Sequence, residues 1–247
     1  SGLYRSTNAG VSWSLIVSGR CDDAVFSPTG DTAYITGSGT GYRVSIDGGV
    51  SFTLNASLSM GARNHIAVSK SSPNILYCSI YTSAISIYKS TNAGSTFSQI
   101  VTGQDFNGGQ AWYDFYIHVS PFDPNFAYVG SVDVWRTGNG GATSFTNITN
   151  GYGGGNVHVD QHNADFHPTD PNQMVCVNDG GIWRSTNKGT NWINLNTNQT
   201  LTQFYRIASD PSNSLQILGG TQDNGTQRTL GTLNWTAAFG GDGGEVC

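Results

Sequence analysis

The sequence predicts an all-β fold: a β-propeller of four-stranded blades, read as one domain over residues 1–247. Three observations carry this reading. One eight-residue pattern recurs five times, and its shared glycines stand at 10, 49, 94, 141 and 189, in steps of 39, 45, 47 and 48 residues. A period in that range marks stacked supersecondary units, with room for about four short strands in each. The composition agrees: 33 glycines and only 11% charged residues suit many tight turns, and no long helical periodicity interrupts the repeats.

The pattern has a local mechanism. It reads Ser6-Thr7-Asn8-Ala9-Gly10-Val11-Ser12-Trp13, then Ser45-Ile46-Asp47-Gly48-Gly49-Val50-Ser51-Phe52, then Ser90-Thr91-Asn92-Ala93-Gly94-Ser95-Thr96-Phe97. The fourth copy runs from Thr137 through Asn139 and Gly141 to Phe145 with one extra residue, and the fifth from Ser185 through Asn187 and Gly189 to Trp192. Asn or Asp at the third position bonds its own backbone further on, and Gly at the fifth takes a conformation disfavoured by a Cβ. The closing Trp or Phe is an apolar anchor expected to pack between sheets, at Trp13, Phe52, Phe97, Phe145 and Trp192. An apolar-basic pair precedes each copy: Tyr4-Arg5, Tyr42-Arg43, Tyr88-Lys89, Trp135-Arg136 and Trp183-Arg184. Each copy is therefore a hairpin turn between two strands.

The remaining elements follow in order along each repeat. A first strand ends in a proline turn, clearest at Ser120-Pro121-Phe122-Asp123-Pro124-Asn125, His167-Pro168-Thr169-Asp170-Pro171-Asn172 and Asp210-Pro211-Ser212-Asn213. Pro fixes its own φ and Asp bonds locally, so these segments turn. Apolar second strands follow, such as Phe126-Ala127-Tyr128-Val129-Gly130 and Gln216-Ile217-Leu218-Gly219-Gly220. A loop then leads to the third strand, the repeated turn and the fourth strand. The last repeat keeps only the aromatic, Trp235, 43 residues after Trp192, and is still expected to form a blade. The expectation is five repeats with partial blades at the two ends, six or seven blades when complete, as a fragment of a longer secreted chain.

These turns resemble the Asp-box, or BNR repeat, of sialidases, xyloglucan-degrading glycosidases and sortilin-type receptor propellers. The resemblance implies that Asn8, Asp47, Asn92, Asn139 and Asn187 are structural, on the outer rim and away from the ligand face. Residues 110–247 further resemble the secreted, sialidase-like or glycosyl-hydrolase-like propellers of Bacteroidetes-type bacteria. They do so through Trp-Tyr-Asp, His-Val-Asp-Gln-His, Asn-Asp-Gly-Gly, Gln-Phe-Tyr-Arg, Gln-Asp-Asn-Gly-Thr and Gly-Gly-Asp-Gly. That resemblance implies an extracellular or cell-surface location and neighbouring domains in the same chain.

Charge and cysteine content narrow the partners. The net charge is −5, and five of the 11 Lys and Arg sit in the strands before the repeated turns, so no basic patch remains for nucleic acid. No apolar run is long enough for a membrane helix. Cys21, Cys78, Cys176 and Cys247 lack metal-ligand spacing, and Cys78 and Cys176 are expected to be buried and unpaired. Sequons begin at Asn55, Asn147, Asn198, Asn224 and Asn234, as expected by chance in a chain rich in Asn, Ser and Thr.

The residues able to do chemistry avoid the repeated turns. One set precedes the first strand of a blade: Trp112, Tyr113 and Asp114, then His158, Asp160 and His162, then Tyr205 and Arg206, then Asp242. The other precedes the third strand: Asp133, Asp179 and Asp223, in steps of 46 and 44. Equivalent positions in successive blades form a ring, so both sets are expected around the central axis on one face, where propellers bind ligands. An extended His158-Val159-Asp160-Gln161-His162 would align His158, Asp160 and His162, a weak candidate for a metal. No cofactor is expected; a bound calcium ion stays open as an alternative, although no specific motif supports it.

Two carboxylates facing a glycosidic bond would make a hydrolase, with Asp114, Asp160, Asp179, Asp223 and Asp242 as candidates. Trp112, Tyr113, His158, Asp160, His162, Tyr205 and Arg206 would bind a glycan or peptide. Sialidase chemistry is disfavoured: Glu245 is the sole glutamate, and Phe204-Tyr205-Arg206-Ile207 is followed by Ala208 rather than Pro. A glycan- or peptide-binding module is the first expectation, a glycosidase using paired aspartates the second, a scaffold domain the third.

Overall fold

The computed structural model describes residues 1–101, 104–106, 108–197, 199 and 202–246; Asn198 and Cys247 lie outside them. It is an all-β propeller arc. The first sheet has two strands, β1 (Gly2–Arg5) and β2 (Ser14–Ser18). Five four-stranded antiparallel sheets follow, each a simple meander. They are β3 (Asp23–Phe26) to β6 (Thr53–Leu54), β7 (Arg63–Val68) to β10 (Ser98–Val101), and β11 (Tyr116–Val119) to β14 (Thr146–Asn147). The last two are β15 (Gln161–Phe166) to β18 (Ile193–Asn194), and β19 (Phe204–Asp210) to β22 (Thr236–Phe239). The final repeat thus forms a full blade despite its missing turn motif. No helix among the described residues is long and apolar enough to cross a membrane.

The first strands β3, β7, β11 and β15 touch in succession, which makes them the inner ring. The fourth strands, such as β6 and β18, are exposed and form the outer edge. Because strands alternate in direction, the proline turns and the repeated turns share one end of the arc. The loops between second and third strands, and those between blades, share the other. Sequence elements expected to be chemical and those expected to be structural therefore sit on opposite faces.

The repeated turn closes on its own side chains. In the third copy the Ser90 hydroxyl accepts from Gly94 N at 2.9 Å and donates to Asn92 Oδ1 at 2.9 Å, while Asn92 Oδ1 accepts from Thr96 N at 3.0 Å. The second copy repeats this with Ser45, Asp47 and Ser51, and the fifth with Ser185, Asn187 and Asn191. Gly10, Gly49, Gly94, Gly141 and Gly189 all have φ between 77° and 88°. The fourth position is left-handed as well, even as Ala9, Ala93 and Lys188, so the side-chain bonds hold two consecutive residues there.

The core lies between blades. One cluster joins Tyr77 and Ile87 to Phe115, Ile117 and Val129; a second joins Tyr116 and Tyr128 to Cys176, Trp183 and Trp192; a third joins Tyr34 and Tyr42 to Leu76 and Cys78. Cys78 and Cys176 are buried and free, and burial pushes both thiols up, that of Cys176 to about 12. Phe145 and Trp192 are buried anchors as expected, and Phe97 packs against the third cluster. Trp13 is not: it is 62% exposed, because the covered anchors rest on the sheet before their own, as Phe97 does on Tyr42 and Trp192 on Ile148, and no sheet among the described residues precedes this one.

Candidate functional site

Loops from three consecutive blades meet on the face opposite the repeated turns. Residues 110–114 lead into β11, 158–160 into β15, 178–181 join β16 (Met174–Asn178) to β17 (Gly181–Ser185), and 222–225 join β20 (Asn213–Thr221) to β21 (Thr226–Leu230). Local backbone chemistry brings them close. Asp160 and Asp223 are left-handed, with φ of 66° and 59°, a conformation Asp tolerates through its short polar side chain. A Cβ on Gly180 would stand 2.5 Å from the Cβ and Cγ of His158, so a glycine is needed for that imidazole to lie against the turn.

Three carboxylates converge. Asp160, Asp179 and Asp223 each present an oxygen, and the three lie within 4.8 Å of one another. The Tyr113 hydroxyl donates to both Asp179 oxygens at 3.2 Å, and His162 Nε2 meets Asp179 Oδ1 at 2.5 Å. Tyr113 and His162 pack edge to face with centroids 5.0 Å apart. His158 turns Nδ1 to the Val159 carbonyl at 3.0 Å and Nε2 to the Asp223 carbonyl at 3.2 Å. Asp242 accepts from Asp223 N at 2.9 Å, and the Asn224 amide donates to the Asp179 carbonyl at 2.9 Å. Gln110 bridges outward, its Nε2 bonding both Asp160 Oδ1 and Asp114 Oδ2.

Burial and mutual repulsion shape the charges. Burial pushes the Asp114 carboxyl up to about 7, helped by the charge of Asp160 and opposed by Gln110. Asp160 is raised first by burial, with the Gln110 bond opposing and the Asp179 charge adding. Asp223 rises to about 6, by burial and then by contact with Asp179 and Asp242. The Tyr113 phenol is pushed up to about 12, by burial and then by Asp179. Beside the cluster lies a cleft of about 590 Å³ lined by Tyr113, Asn178, Asp179, Gln222, Asp223 and Asn224 among others. A second cavity of about 970 Å³ follows the axis along the inner strands, past His65, His118 and His162.

Of the expected residues, Tyr113, His158, Asp160, His162, Asp179, Asp223 and Asp242 are brought together. Asp114 is near but wholly buried, beyond reach of a ligand. Asp133 is withdrawn into its own blade, accepting from Asn147, Thr149 and Gly151. Trp112 stands exposed on the rim against Tyr113, with ring centroids 5.7 Å apart. The Tyr205 hydroxyl bonds Gln222 beside the cleft, while Arg206 donates to the Tyr205 carbonyl at 3.1 Å. The extended alignment expected for His158, Asp160 and His162 is corrected: strand β15 begins only at Gln161, and left-handed Asp160 breaks the alternation. The histidines bond carbonyls and Asp179, so the set that converges is Asp160, Asp179 and Asp223.

Sequence reasoning missed Gln110 and Arg63. Arg63 Nη1 donates to the carbonyls of Trp112 and Tyr113 at 2.8 and 2.7 Å, which holds the aromatic loop over the cluster. Its signal was present: it is one of four arginines outside the repeated strands. Gln110 stands only two residues before Trp112, but nothing in its local sequence points to a bridge reaching 50 residues onward.

No family model matches this sequence, and no curated protein matches it. Solved structures do. A GH74 enzyme from Niastella koreensis superposes with a TM-score of 0.57 at 17% identity, over 96% of this chain and 34% of the enzyme. YCF48 bound to a D1 peptide gives 0.52 at 12%, over 89% and 68%. A putative TolB from Agrobacterium tumefaciens gives 0.53 at 15%, over 94% and 87%. All are β-propellers, and the likeness is one of fold. This chain spans about a third of the Niastella enzyme's length.

Proposed function

We propose that this chain is a glycan-binding propeller module of a secreted or cell-surface protein, holding its ligand in the cleft beside Asp179 and Asp223. The observation that carries the reading is the lining of that cleft. Asn178, Gln222, Asn224 and Gln227 offer amides, Asp179 and Asp223 offer carboxylates, and Tyr113 forms a wall. Planar amides and carboxylates accept and donate in pairs that match neighbouring sugar hydroxyls, and ionised acceptors make the stronger bonds. Exposed aromatics at the rim, Trp112, Tyr113 and Tyr205, supply flat apolar faces for the C–H side of a pyranose. The self-bonded turns support an Asp-box assignment, and with it an extracellular setting.

A panel of polysaccharides and oligosaccharides tested by affinity electrophoresis and calorimetry decides. Asp179→Ala and Tyr113→Ala should each weaken binding about tenfold or more, as loss of a charge-assisted bond or a stacking face does. If no glycan binds the intact protein, the reading fails and a scaffold role takes its place.

One observation favours a second reading, glycoside hydrolysis. The Asp223 carboxyl, raised to about 6 by burial and by its contact with Asp179, suits the role of a general acid, with Asp179 beside it in the role of base or nucleophile. Nearest oxygens within 4.8 Å fit the close pair of a retaining enzyme, whose carboxyl groups stand roughly 5–5.5 Å apart, better than the 6.5–9.5 Å of an inverting one. Release of reducing ends by wild type, lost in Asp223→Asn, would establish hydrolysis.

A further inference from the structure

We infer that the last blade, β19 to β22, is a hinged jaw. It swings about its contacts at the site, so that the cleft between it and the blade before it changes width. The joint is independent of what the cleft binds.

The three joints between β3 and β18 are each sealed by an apolar cluster, and none of those clusters takes in a residue of the last blade. Strand register shows what is missing. Ile66, Ile117 and Ala164 hold the same place on the first strands β7, β11 and β15, opposite Cys78, Val129 and Cys176. They are 1%, 2% and 5% exposed. Ile207 holds that place on β19, opposite Gly219, and is 63% exposed. The closing aromatics agree, since Phe145 and Trp192 are buried while Trp235 is 37% exposed.

The facing side of the blade before is bare as well. Val175 stands where Tyr77 and Tyr128 stand in earlier blades; both tyrosines are buried, and Val175 is half-buried. With Phe166, Met174 and Arg184 it lines a cavity of about 170 Å³ to which the last blade contributes no residue. Arg184 pairs with Val175 as Lys89 does with Tyr77 and Arg136 with Tyr128. Lys89 and Arg136 each clamp the next blade's repeated turn. The last repeat has lost that turn, and among the described residues the exposed Arg184 has no side-chain hydrogen bond or ion pair.

What joins these two blades lies at the site end. His158 Nε2 meets the Asp223 carbonyl at 3.2 Å, and the Asn224 amide donates to the Asp179 carbonyl at 2.9 Å. A joint held at one end and unsealed along its length is a hinge, the kind of device by which protein units close around ligands. Apolar faces left apart in water are drawn together, and the positions left bare here already pack at three earlier joints. The cleft lies between the two arms: Asn178 and Asp179 come from one, Gln222, Asp223 and Asn224 from the other.

Pulsed electron spin resonance on the full chain tests the jaw without any ligand. One nitroxide goes on Asn191→Cys, in the exposed turn of the blade before, and one on Leu233→Cys, fully exposed on the last blade. Cys21→Ser and Cys247→Ser remove competing thiols, while Cys78 and Cys176 are buried. This pair should give two distances, whereas Asn191→Cys with Ser95→Cys, across the sealed joints, should give one narrow distance. Ile207→Asp puts a charge on the closing face and should abolish the shorter distance of the first pair. If that variant does not fold by circular dichroism, Val175→Asp on the facing side makes the same test. A first pair as narrow as the control would overturn the inference. So would a folded variant whose distances match those of the wild type.

Discussion

Arg136 reaches from the third strand of one blade into the turn of the next, where its Nη1 donates to the Lys188 carbonyl at 2.6 Å. Lys89 does the same one blade earlier, donating to the Gly140 carbonyl at 3.0 Å. The basic residue that precedes each repeated turn is thereby explained at two interfaces. It clamps a neighbour's turn, and its charge is spent inside the fold rather than on a ligand.

Replacing Arg136 with Met should keep the stem's packing and remove the clamp. The expected loss is roughly 1–3 kcal/mol, as for other hydrogen bonds made by a charged donor. Equilibrium denaturation in guanidinium measures it. An unchanged midpoint would show that the bond is not stabilising.

Ser90 should matter to the third turn as much as Asn92 does. Both hold the backbone amides of the loop, so Ser90→Ala and Asn92→Ala should each cost on the order of 1 kcal/mol, the scale of a lost cap. Neither should alter ligand binding, because the turn lies on the far face. Thermal melts and the binding assay, run on the same samples, separate the two effects.

Asp47 and Asp114 should give opposite pH dependences. Bonds from Ser45 and then Ser51 hold the Asp47 carboxyl well below the usual carboxylate range. Its contribution is present above the unfolded value near 4 and is lost as pH falls toward the lower folded value. Asp47→Asn should therefore flatten the acid limb of the melting curve. Asp114 is raised to about 7, so the folded state holds a proton that the unfolded state releases near pH 4. Stability should fall as pH rises from about 4 to about 7, and Asp114→Asn should remove that decline. A parallel curve for either variant would refute its assignment.

Gly180→Ala should disable the site while sparing the fold. The new Cβ meets the Cβ and Cγ of His158 at 2.5 Å, atoms too close to the backbone to swing aside. The imidazole should be driven off the Asp223 carbonyl, loosening the loop that carries Asp223. Ligand binding should drop, with only a small change in melting temperature. Retained binding would mean that His158 does not position that loop.

The fold was legible because its signal is local. Five turns with Ser or Thr, then Asn or Asp, then Gly fix their own backbone, and the period does the rest. The left-handed fourth position was not legible, since Ala9, Ala93 and Lys188 are residues that ordinarily avoid it. The site was half legible. Blade-equivalent spacing picked out Asp179 and Asp223, but equal spacing also picked Asp133, which its own blade consumes. Spacing places a residue around the axis; it does not say whether the side chain turns inward. The alternation assigned to His158, Asp160 and His162 failed at a single left-handed residue, and no periodicity argument anticipates that.

The bonds from Tyr34 to Ala93, Tyr128 to Lys188, and Arg136 to Lys188 all run from one blade to its successor. Each unit therefore carries a plug for the unit ahead and a socket for the unit behind. A duplicated unit inherits both halves of its joint at once. Lengthening or shortening such an array needs no new contacts to be invented, so blade number is free to drift while the face that binds is refined separately.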